Sequence, residues 1–296
     1  MNTLKKWLMA CLLVTTEMIY AQEVKDIFTF KVGDIEVSVL REIEGKLQNS
    51  ILIGATPEML QECMPDGTCP NSISAFLVRT SEKTVLIDAG LGVKLFDLLQ
   101  SIEISLEKID AIFITHLHGD HIGGMLKFGK VMFPNAQIYL SQPEYDYWTD
   151  DEAMKIQSEK RKETFAFAKE VLTAYKERLN FFIPNEINEN PTTLLTGINA
   201  IANYGHTPGH TIYLIQSNDD KLLIWGDMTH AMAIQMPYPQ VAVTYDTNPE
   251  QAIISRKKVL DFISKNNITA TGIHIPAPFT GKVKDNSKGG YIFENF

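Results

Sequence analysis

The sequence predicts a single α/β domain in which short strands alternate with helices. The chain has 296 residues, of which 45% are apolar and 21% charged, so it carries enough apolar surface to bury a core. Short apolar runs typical of strands recur along it, and segments with helical spacing separate them. Neither an internal repeat nor a Pro- or Ser-rich linker divides the chain, which favours one domain.

The spacing of apolar side chains predicts each element in turn. Residues 35–40 alternate like a half-buried strand, and residues 249–265 begin with Pro249 at a position that favours a helix start. The other predicted elements are strands at 73–78, 85–87, 111–115, 138–140, 198–204, 211–215 and 222–225, a last strand ending at Ile273, and helices at 95–99 and within 150–178. Residues 47–71, rich in Gly, Pro and polar side chains, are predicted to form a long loop of the kind that often acts as a lid.

The N-terminal segment is predicted to be a signal peptide covering residues 1–21, which leaves 22–296 as the mature domain. A short basic start precedes an apolar run at 7–14, and Ala21 offers a small residue at a cleavage point. An ordinary N-terminal helix and lipidation at Cys11 are the alternatives. We therefore expect an exported protein, periplasmic or secreted.

Two further cysteines, Cys63 and Cys69, bracket the Pro65-Asp66-Gly67 turn. In an oxidising compartment they could form a disulfide, and two free thiols are the equally weighted alternative.

The net charge of −9 argues against a nucleic-acid partner, because binding to phosphates requires a basic surface. Beyond the N-terminal segment, no run approaches the ~20 apolar residues that a membrane span needs. We therefore expect a neutral or weakly polar small molecule as the ligand, with neither nucleic acid nor a membrane span.

The histidines cluster at the ends of predicted strands, and six consecutive residues carry most of the chemistry. The segment reads His-Leu-His-Gly-Asp-His and directly follows an apolar run. Alternate side chains of an extended backbone share a face, so His116 and His118 can converge on one ion. The turn at Gly119 then directs Asp120 and His121 toward a neighbouring position. Imidazole and carboxylate groups together suit zinc and related divalent ions, so this segment predicts a metal site.

This motif resembles the signature of the metallo-β-lactamase superfamily, and other segments of that family follow in order. The segments that carry the resemblance are 87–90, 205–210, 225–227 and 272–274. It extends from about Ile27 to Phe293 and implies an αββα sandwich, two mixed sheets flanked by helices. It also implies a hydrolase that uses two divalent metal ions, with zinc as the expected metal.

The resemblance further implies roles for particular side chains. One ion would be held by His116, His118 and His210. The other would be held by Asp120, His121 and His274, with Asp227 and a hydroxide between the two ions. Asp88 is expected to orient a ligand histidine, and His206 to be structural within its turn. Asp120, Asp227 and His230 are the predicted catalytic residues.

The C-terminal half resembles two subgroups of the family, the acyl-homoserine lactone lactonases and the methyl parathion hydrolase group. β-Lactamases of this fold generally lack an aspartate at the position of Asp227, which argues against β-lactam substrates. His230 stands where many lactonases carry Tyr, so it is expected either to donate a proton or to line the pocket wall.

The favoured function is hydrolysis of N-acyl-homoserine lactones. The alternatives are a phosphotriesterase or arylesterase and, in another class, a non-catalytic protein that binds a metal or a signal molecule. The expected partner is a small lactone or ester, and the resemblance also suggests a homodimer. An apolar pocket could be formed by residues 47–71 with Tyr145, Trp148, Phe165 and Tyr238, although core packing is the stronger expectation for these aromatics.

Overall fold

The computed structural model describes residues 26–286 and 288–295, so the predicted signal peptide lies outside the described residues. Eighteen strands lie in this part of the chain: β1 Ile27–Val32, β2 Ile35–Gln48, β3 Leu52–Ile53, β4 Thr68–Arg79, β5 Thr84–Ile87, β6 Ala111–Phe113, β7 Leu126–Lys127, β8 Lys130–Val131, β9 Gln137–Ser141, β10 Leu179–Phe182, β11 Thr192–Leu195, β12 Ile198–Ala202, β13 Thr211–Ser217, β14 Asp220–Ile224, β15 Ala242–Val243, β16 Thr269–Thr271, β17 Gly281–Asp285 and β18 Tyr291–Asn295. The helices of the same part are α1 Pro57–Cys63, α2 Leu95–Ser101, α3 Gly119–Ile122, α4 Gln142–Thr149, α5 Asp151–Lys155, α6 Glu159–Ala174, α7 Met232–Gln235 and α8 Pro249–Lys265.

Two seven-stranded mixed sheets form the centre of the molecule. The strand order is β1-β2-β4-β5-β6-β9-β10 in the first sheet and β11-β12-β13-β14-β16-β17-β18 in the second. Apolar side chains on their facing surfaces, such as Val39, Phe76 and Phe113 from one sheet and Tyr213 and Ile224 from the other, pack into one buried cluster. Burial of this surface is the main force that holds the sheets together.

Helices cover the outer face of each sheet. Trp148 on α4 and Phe165 on α6 pack against the first sheet, and Val259, Leu260 and Ile263 on α8 pack against the second. Asn248 caps α8 by accepting from the backbone N–H of Gln251, and Pro249 occupies its first turn, as predicted. The predicted αββα sandwich is therefore confirmed.

Two predicted boundaries were wrong. Residues 47–71 do not form one long loop, because β2 continues to Gln48 and pairs with β4 down to Thr68, with α1 between the two strands. Residues 43–46 are all exposed, so this arm lacks the apolar signal of a core strand. Ile273 does not end the last strand either, because β17 and β18 follow as a hairpin with many exposed side chains.

Two smaller findings concern the predicted disulfide and membrane behaviour. Cys63 and Cys69 are free thiols in the structure, and burial raises the pKa of Cys69 to about 11. None of the helices in residues 26–286 and 288–295 has the length and apolarity needed to cross a bilayer.

The strand directions bring distant segments together at one edge of the sandwich. In the first sheet β5, β6 and β9 run parallel, so the segments after them leave from the same edge. In the second sheet β14 and β16 are also parallel. The turn between β12 and β13 meets the segment after β6, where the backbone N–H of Thr211 donates to the oxygen of Thr115 at 2.9 Å. Six connecting segments therefore converge on one location.

Candidate metal centre

Three imidazoles and one carboxylate converge at this edge. His116 and His118 follow β6, His206 lies between β12 and β13, and Asp227 follows β14. One potential ligand atom from each residue lies within 4.8 Å of the others. Nε2 of His116 is 2.9 Å from Nδ1 of His118 and 3.2 Å from Nε2 of His206. These four residues are the first ligand group.

A second ligand group shares Asp227 with the first and adds Asp120, His121 and His274. Asp120 and His121 lie on α3, and His274 lies between β16 and β17. Nε2 of His121 is 3.1 Å from Oδ1 of Asp227, and Nε2 of His274 is 3.2 Å from its Oδ2. Asp227 therefore contacts both groups with one side chain.

The spacing and burial of these atoms fit divalent metal ions. Nitrogen ligands about 2.0 Å from a tetrahedral ion lie about 3.3 Å from each other. The nitrogens of the first group are 2.9–3.2 Å apart, close to that value. Nε2 of His121 and Oδ1 of Asp227 are buried and are not aligned for a hydrogen bond within the described residues. Because a buried polar atom without a partner is costly, a cation between these atoms is the fitting partner.

His206, and not His210, completes the first group, so the predicted roles of these two histidines are exchanged. Nδ1–H of His210 donates to the backbone oxygen of Asn203, and its Nε2 accepts from the backbone N–H of Asp227, both at 3.0 Å. Burial lowers the pKa of His210 to about 3, which keeps the ring neutral. With both nitrogens engaged, no lone pair remains for an ion.

The ligand histidines are oriented through their other ring nitrogens. The orienting bonds join Nδ1 of His206 to Asp246 at 2.9 Å, Nδ1 of His121 to Asp88 at 2.7 Å, and Nδ1 of His274 to the backbone oxygen of Ser72 at 2.8 Å. Such partners fix the tautomer and direct the free nitrogen. The predicted orienting role of Asp88 is confirmed, whereas Asp246 carried no recognisable motif and was missed.

The ligand side chains differ in their charge states. Burial, together with the neighbouring imidazoles, lowers the pKa of His116 and of His118 well below the usual range, so both rings are neutral. Burial alone would raise the pKa of Asp227, but the imidazoles of His121 and His274 outweigh it and hold that pKa well below its usual range. Burial would lower the pKa of His121, His206 and His274 as well, but the carboxylate of Asp227 outweighs it and raises the pKa of all three, that of His206 to about 9. Neutral imidazoles and an ionised carboxylate are the forms that bind metals, so a cation at this site would displace protons from these three rings.

His230, the third predicted catalytic residue, lies beside the shared carboxylate. Its Nε2 is 2.9 Å from Oδ2 of Asp227, and its ring stacks on that of His274 with centroids 4.8 Å apart. Its backbone is fixed on both sides, because N–H donates to Gln235 and the oxygen accepts from Asn71. The position of Nε2 brings His230 into direct contact with the ligand groups.

A cavity of about 500 Å³ opens onto the two ligand groups. Side chains from both groups reach it: His118, Asp120, Asp227 and His274, together with His230. Its walls combine apolar and polar side chains: Leu47, Ile73 and Tyr245 on the one hand, and Asn71, Ser158, Lys160, Arg161, Thr164 and Thr244 on the other.

The aromatics considered for this pocket pack elsewhere. Trp148 and Phe165 are buried in the core, Tyr145 packs against that core, and the hydroxyl of Tyr238 donates to Glu62. Tyr245 lines the cavity instead.

Comparison with known proteins identifies the family. The sequence model of the metallo-beta-lactamase superfamily matches residues 70–267, more than half of the chain, so the chain belongs to that superfamily. It is accordingly a member of a hydrolase family, with His and Asp clusters able to hold metal ions.

Two solved structures resemble the whole domain. One is AidC, described as a dizinc quorum-quenching lactonase in complex with the product N-hexanoyl-L-homoserine. It is 29% identical, with a TM-score of 0.82 over 91% of this chain and 98% of AidC. The other is AbOPH, described as a hydrolase in the beta lactamase superfamily, with 25% identity and a TM-score of 0.82 over 93% of this chain and 99% of AbOPH.

A more remote curated relative is the transcription termination factor FttA of Methanocaldococcus jannaschii. It is 29% identical over 148 residues, which cover 47% of this chain and 22% of the factor. The chain thus spans about a fifth of that relative's length.

Proposed function

We propose that this chain is a dinuclear metal-dependent lactonase that hydrolyses N-acyl-homoserine lactones. The observation that carries the proposal is a pair of ligand groups sharing Asp227 on the wall of a cavity of about 500 Å³. That volume suits a small ligand, and the mixed lining suits a molecule with a polar ring and an apolar tail.

The likeness to AidC supports this substrate class, since that protein is described as a lactonase with an acyl-homoserine product bound. The net charge of −9 supports a small-molecule substrate over nucleic acid. The proposed metals are two zinc ions, one held by each ligand group. Such ions would lower the pKa of a water molecule and polarise the carbonyl of the lactone.

The protein's own groups would bind and orient the reactants around that chemistry. Asp227, whose side chain is 2% exposed, holds the two ligand groups together. The side chain of Asp120 is 27% exposed and faces the cavity, where it would accept the proton released from water. His230 contacts Asp227 through Nε2 at 2.9 Å and lines the cavity, where it would donate a proton to the departing ring oxygen. Hydrolysis adds water across the ring ester bond and yields a carboxylate and a free hydroxyl.

The test is a comparison of kcat/KM on N-acyl-homoserine lactones, simple lactones, aryl esters, a phosphotriester and a β-lactam. We expect the highest value for an acyl-homoserine lactone, and loss of most of this activity in Asp227→Asn. A higher value for the phosphotriester or aryl ester would assign the alternative esterase function. Binding of two metals without turnover of any of these substrates would assign the non-catalytic class.

We also propose export and dimer formation. The signal-peptide pattern at residues 1–21 supports export, and N-terminal sequencing of the protein released by the cell would check it. An uncleaved N-terminus on protein retained in the cytoplasm would contradict it. A single-chain mass by light scattering at micromolar concentration would contradict the dimer.

A further inference from the structure

Glu144, in the first turn of α4, is a fully buried carboxylate with four hydrogen-bond donors around it. Its Oε1 accepts from the backbone N–H of Leu117 at 2.9 Å and from the indole N–H of Trp148 at 2.6 Å. Its Oε2 accepts from the hydroxyl of Thr207 at 2.6 Å and from the backbone N–H of Gly209 at 2.9 Å. Four donors match the acceptor capacity of an ionised carboxylate.

Three of these donors belong to the two segments that carry the imidazoles of the first ligand group, and the fourth, Trp148, lies on α4 itself. Leu117 lies between His116 and His118, and Thr207 directly follows His206. One carboxylate therefore holds together two segments that are far apart in sequence. The indole of Trp148 also lies edge-on to the ring of His118, with centroids 5.5 Å apart.

The surrounding packing leaves this contact little freedom. A Cβ on Gly209 would come within 2.1 Å of the backbone nitrogen of Glu144, so only glycine permits this approach. The hydroxyl of Ser141, the residue before α4, donates to the backbone oxygen of Gly209 at 2.7 Å. The turn that carries His206 is thus fixed to the start of α4 by packing and by hydrogen bonds.

We propose that Glu144 is a positioning residue that sets the metal affinity of the first ligand group. This inference rests on the metal centre proposed above. Asp88 supports the second group through direct contact with the ring of His121, and Glu144 supports the first group through the backbone of its two segments. The burial of an uncompensated carboxylate is costly, and three of the four donors are in place only when the two segments meet at Glu144.

The test substitutes Glu144→Gln, which keeps the shape but turns two acceptor positions into N–H donors that face existing donors. Glu42→Gln is the matched control. Glu42 is also fully buried, and it accepts from the backbone N–H groups of four residues outside both ligand groups: Leu91, Gly92, Lys94 and Leu95.

The measurement is titration of metal-stripped protein with Co²⁺ alone, followed by its visible absorption and in competition with a chelator. We expect Glu144→Gln to lower the affinity for one of the two Co²⁺ ions by about 10–100-fold and to leave the affinity for the other unchanged. With only its tighter Co²⁺ ion bound, this variant should have the same visible spectrum as His206→Ala with one Co²⁺ bound. Glu42→Gln should bind both ions with the affinities of the parent, even if its melting temperature falls as much as that of Glu144→Gln.

Parent-like affinity for both ions in Glu144→Gln, or equal weakening of both, would overturn the inference. If Glu144→Gln does not fold, Thr207→Val takes its place in the test, because it removes a single donor to Glu144. It should lower the affinity for the same Co²⁺ ion to a smaller extent. An unchanged titration of Thr207→Val would then overturn the inference instead. A parent that binds fewer than two Co²⁺ ions would contradict the proposed metal centre itself, and the parent titration shows this before any variant is compared.

Discussion

At the scale of single residues, the position of each ring nitrogen determines which histidines can bind metal. His206 has Asp246 on Nδ1, which leaves Nε2 directed at the first ligand group. His210, four residues later, has backbone partners on both nitrogens. Two histidines in one short turn therefore differ in function because their tertiary contacts differ.

This difference gives a direct prediction. We expect His206→Asn to lose one of two bound metal ions, because it removes the Nε2 lone pair. His210→Asn should retain both ions and lose about 1–3 kcal/mol of unfolding free energy through its broken hydrogen bonds. Atomic emission measures the metal content of both variants, and urea unfolding measures their stability. Loss of a metal ion in His210→Asn but not in His206→Asn would show that His210 is the ligand.

His230 permits a second prediction at this scale. We expect His230→Phe to keep both metal ions and to lower kcat by about 100-fold, the low end of the usual contribution of a proton-transfer group. Metal content and steady-state kinetics on an acyl-homoserine lactone check this. An unchanged kcat would reduce His230 to a residue of the pocket wall.

Most of the metal ligands, but not all, could be predicted from the sequence. Six of the seven predicted ligands lie in the two ligand groups, because strand-end histidines and carboxylates form a recognisable spacing. The exchange of His206 and His210 could not be predicted, since both stand beside glycine in the same Gly-His-Thr-Pro-Gly-His turn. The deciding contacts come from Asn203, Asp227 and Asp246, and only folding brings them there.

At the scale of elements, tight turns at strand ends place the ligands. Gly226 lies between β14 and Asp227 with a φ of +53°, and a Cβ there would come within 2.5 Å of Nε2 of His210. Both the backbone conformation and the close approach require glycine.

We therefore expect Gly226→Ala to lower the unfolding free energy by about 1–3 kcal/mol and to weaken metal binding, because strain at this turn displaces Asp227. Gly45→Ala is the control, since a Cβ at Gly45 meets nothing within 4 Å. Urea unfolding and Co²⁺ titration measure the two effects. Equal behaviour of the two variants would show that the turn does not position the carboxylate.

The elements that the sequence predicted are those that bury a face. The strands around residues 85–87, 138–140 and 211–215 were recognisable because core packing imposes an apolar run on them. The exposed arm of β2 and β4 and the hairpin of β17 and β18 depend on backbone pairing between distant segments, so their side chains carry no such signal.

At the scale of the whole molecule, ion pairs of Asp26 fasten the start of the edge strand β1 to the rest of the sandwich. The carboxylate of Asp26 contacts Arg41 on β2 and Lys94 before α2. Burial would raise the pKa of Asp26, but hydrogen bonds from Arg41 and Lys94 outweigh it and lower the pKa below the usual 3.8.

A carboxyl whose pKa is lower in the folded state stabilises the protein above its unfolded pKa. That contribution is lost as the pH falls below 3.8 through the lower folded value. We expect Asp26→Asn to cost about 1 kcal/mol at pH 7 and to match the parent near pH 2. Urea unfolding across this range, with the exposed Asp219→Asn as control, checks the prediction. A cost that is constant with pH would contradict it.

We propose above that the two ligand groups sharing Asp227 form a dinuclear centre that opens lactones. Its most direct test is kcat/KM on N-hexanoyl-homoserine lactone while metal-stripped protein receives zinc in steps. We expect most of the activity to arise with the second equivalent and to reach a plateau at two per chain. Full activity at one equivalent, or no activity at two, would contradict it.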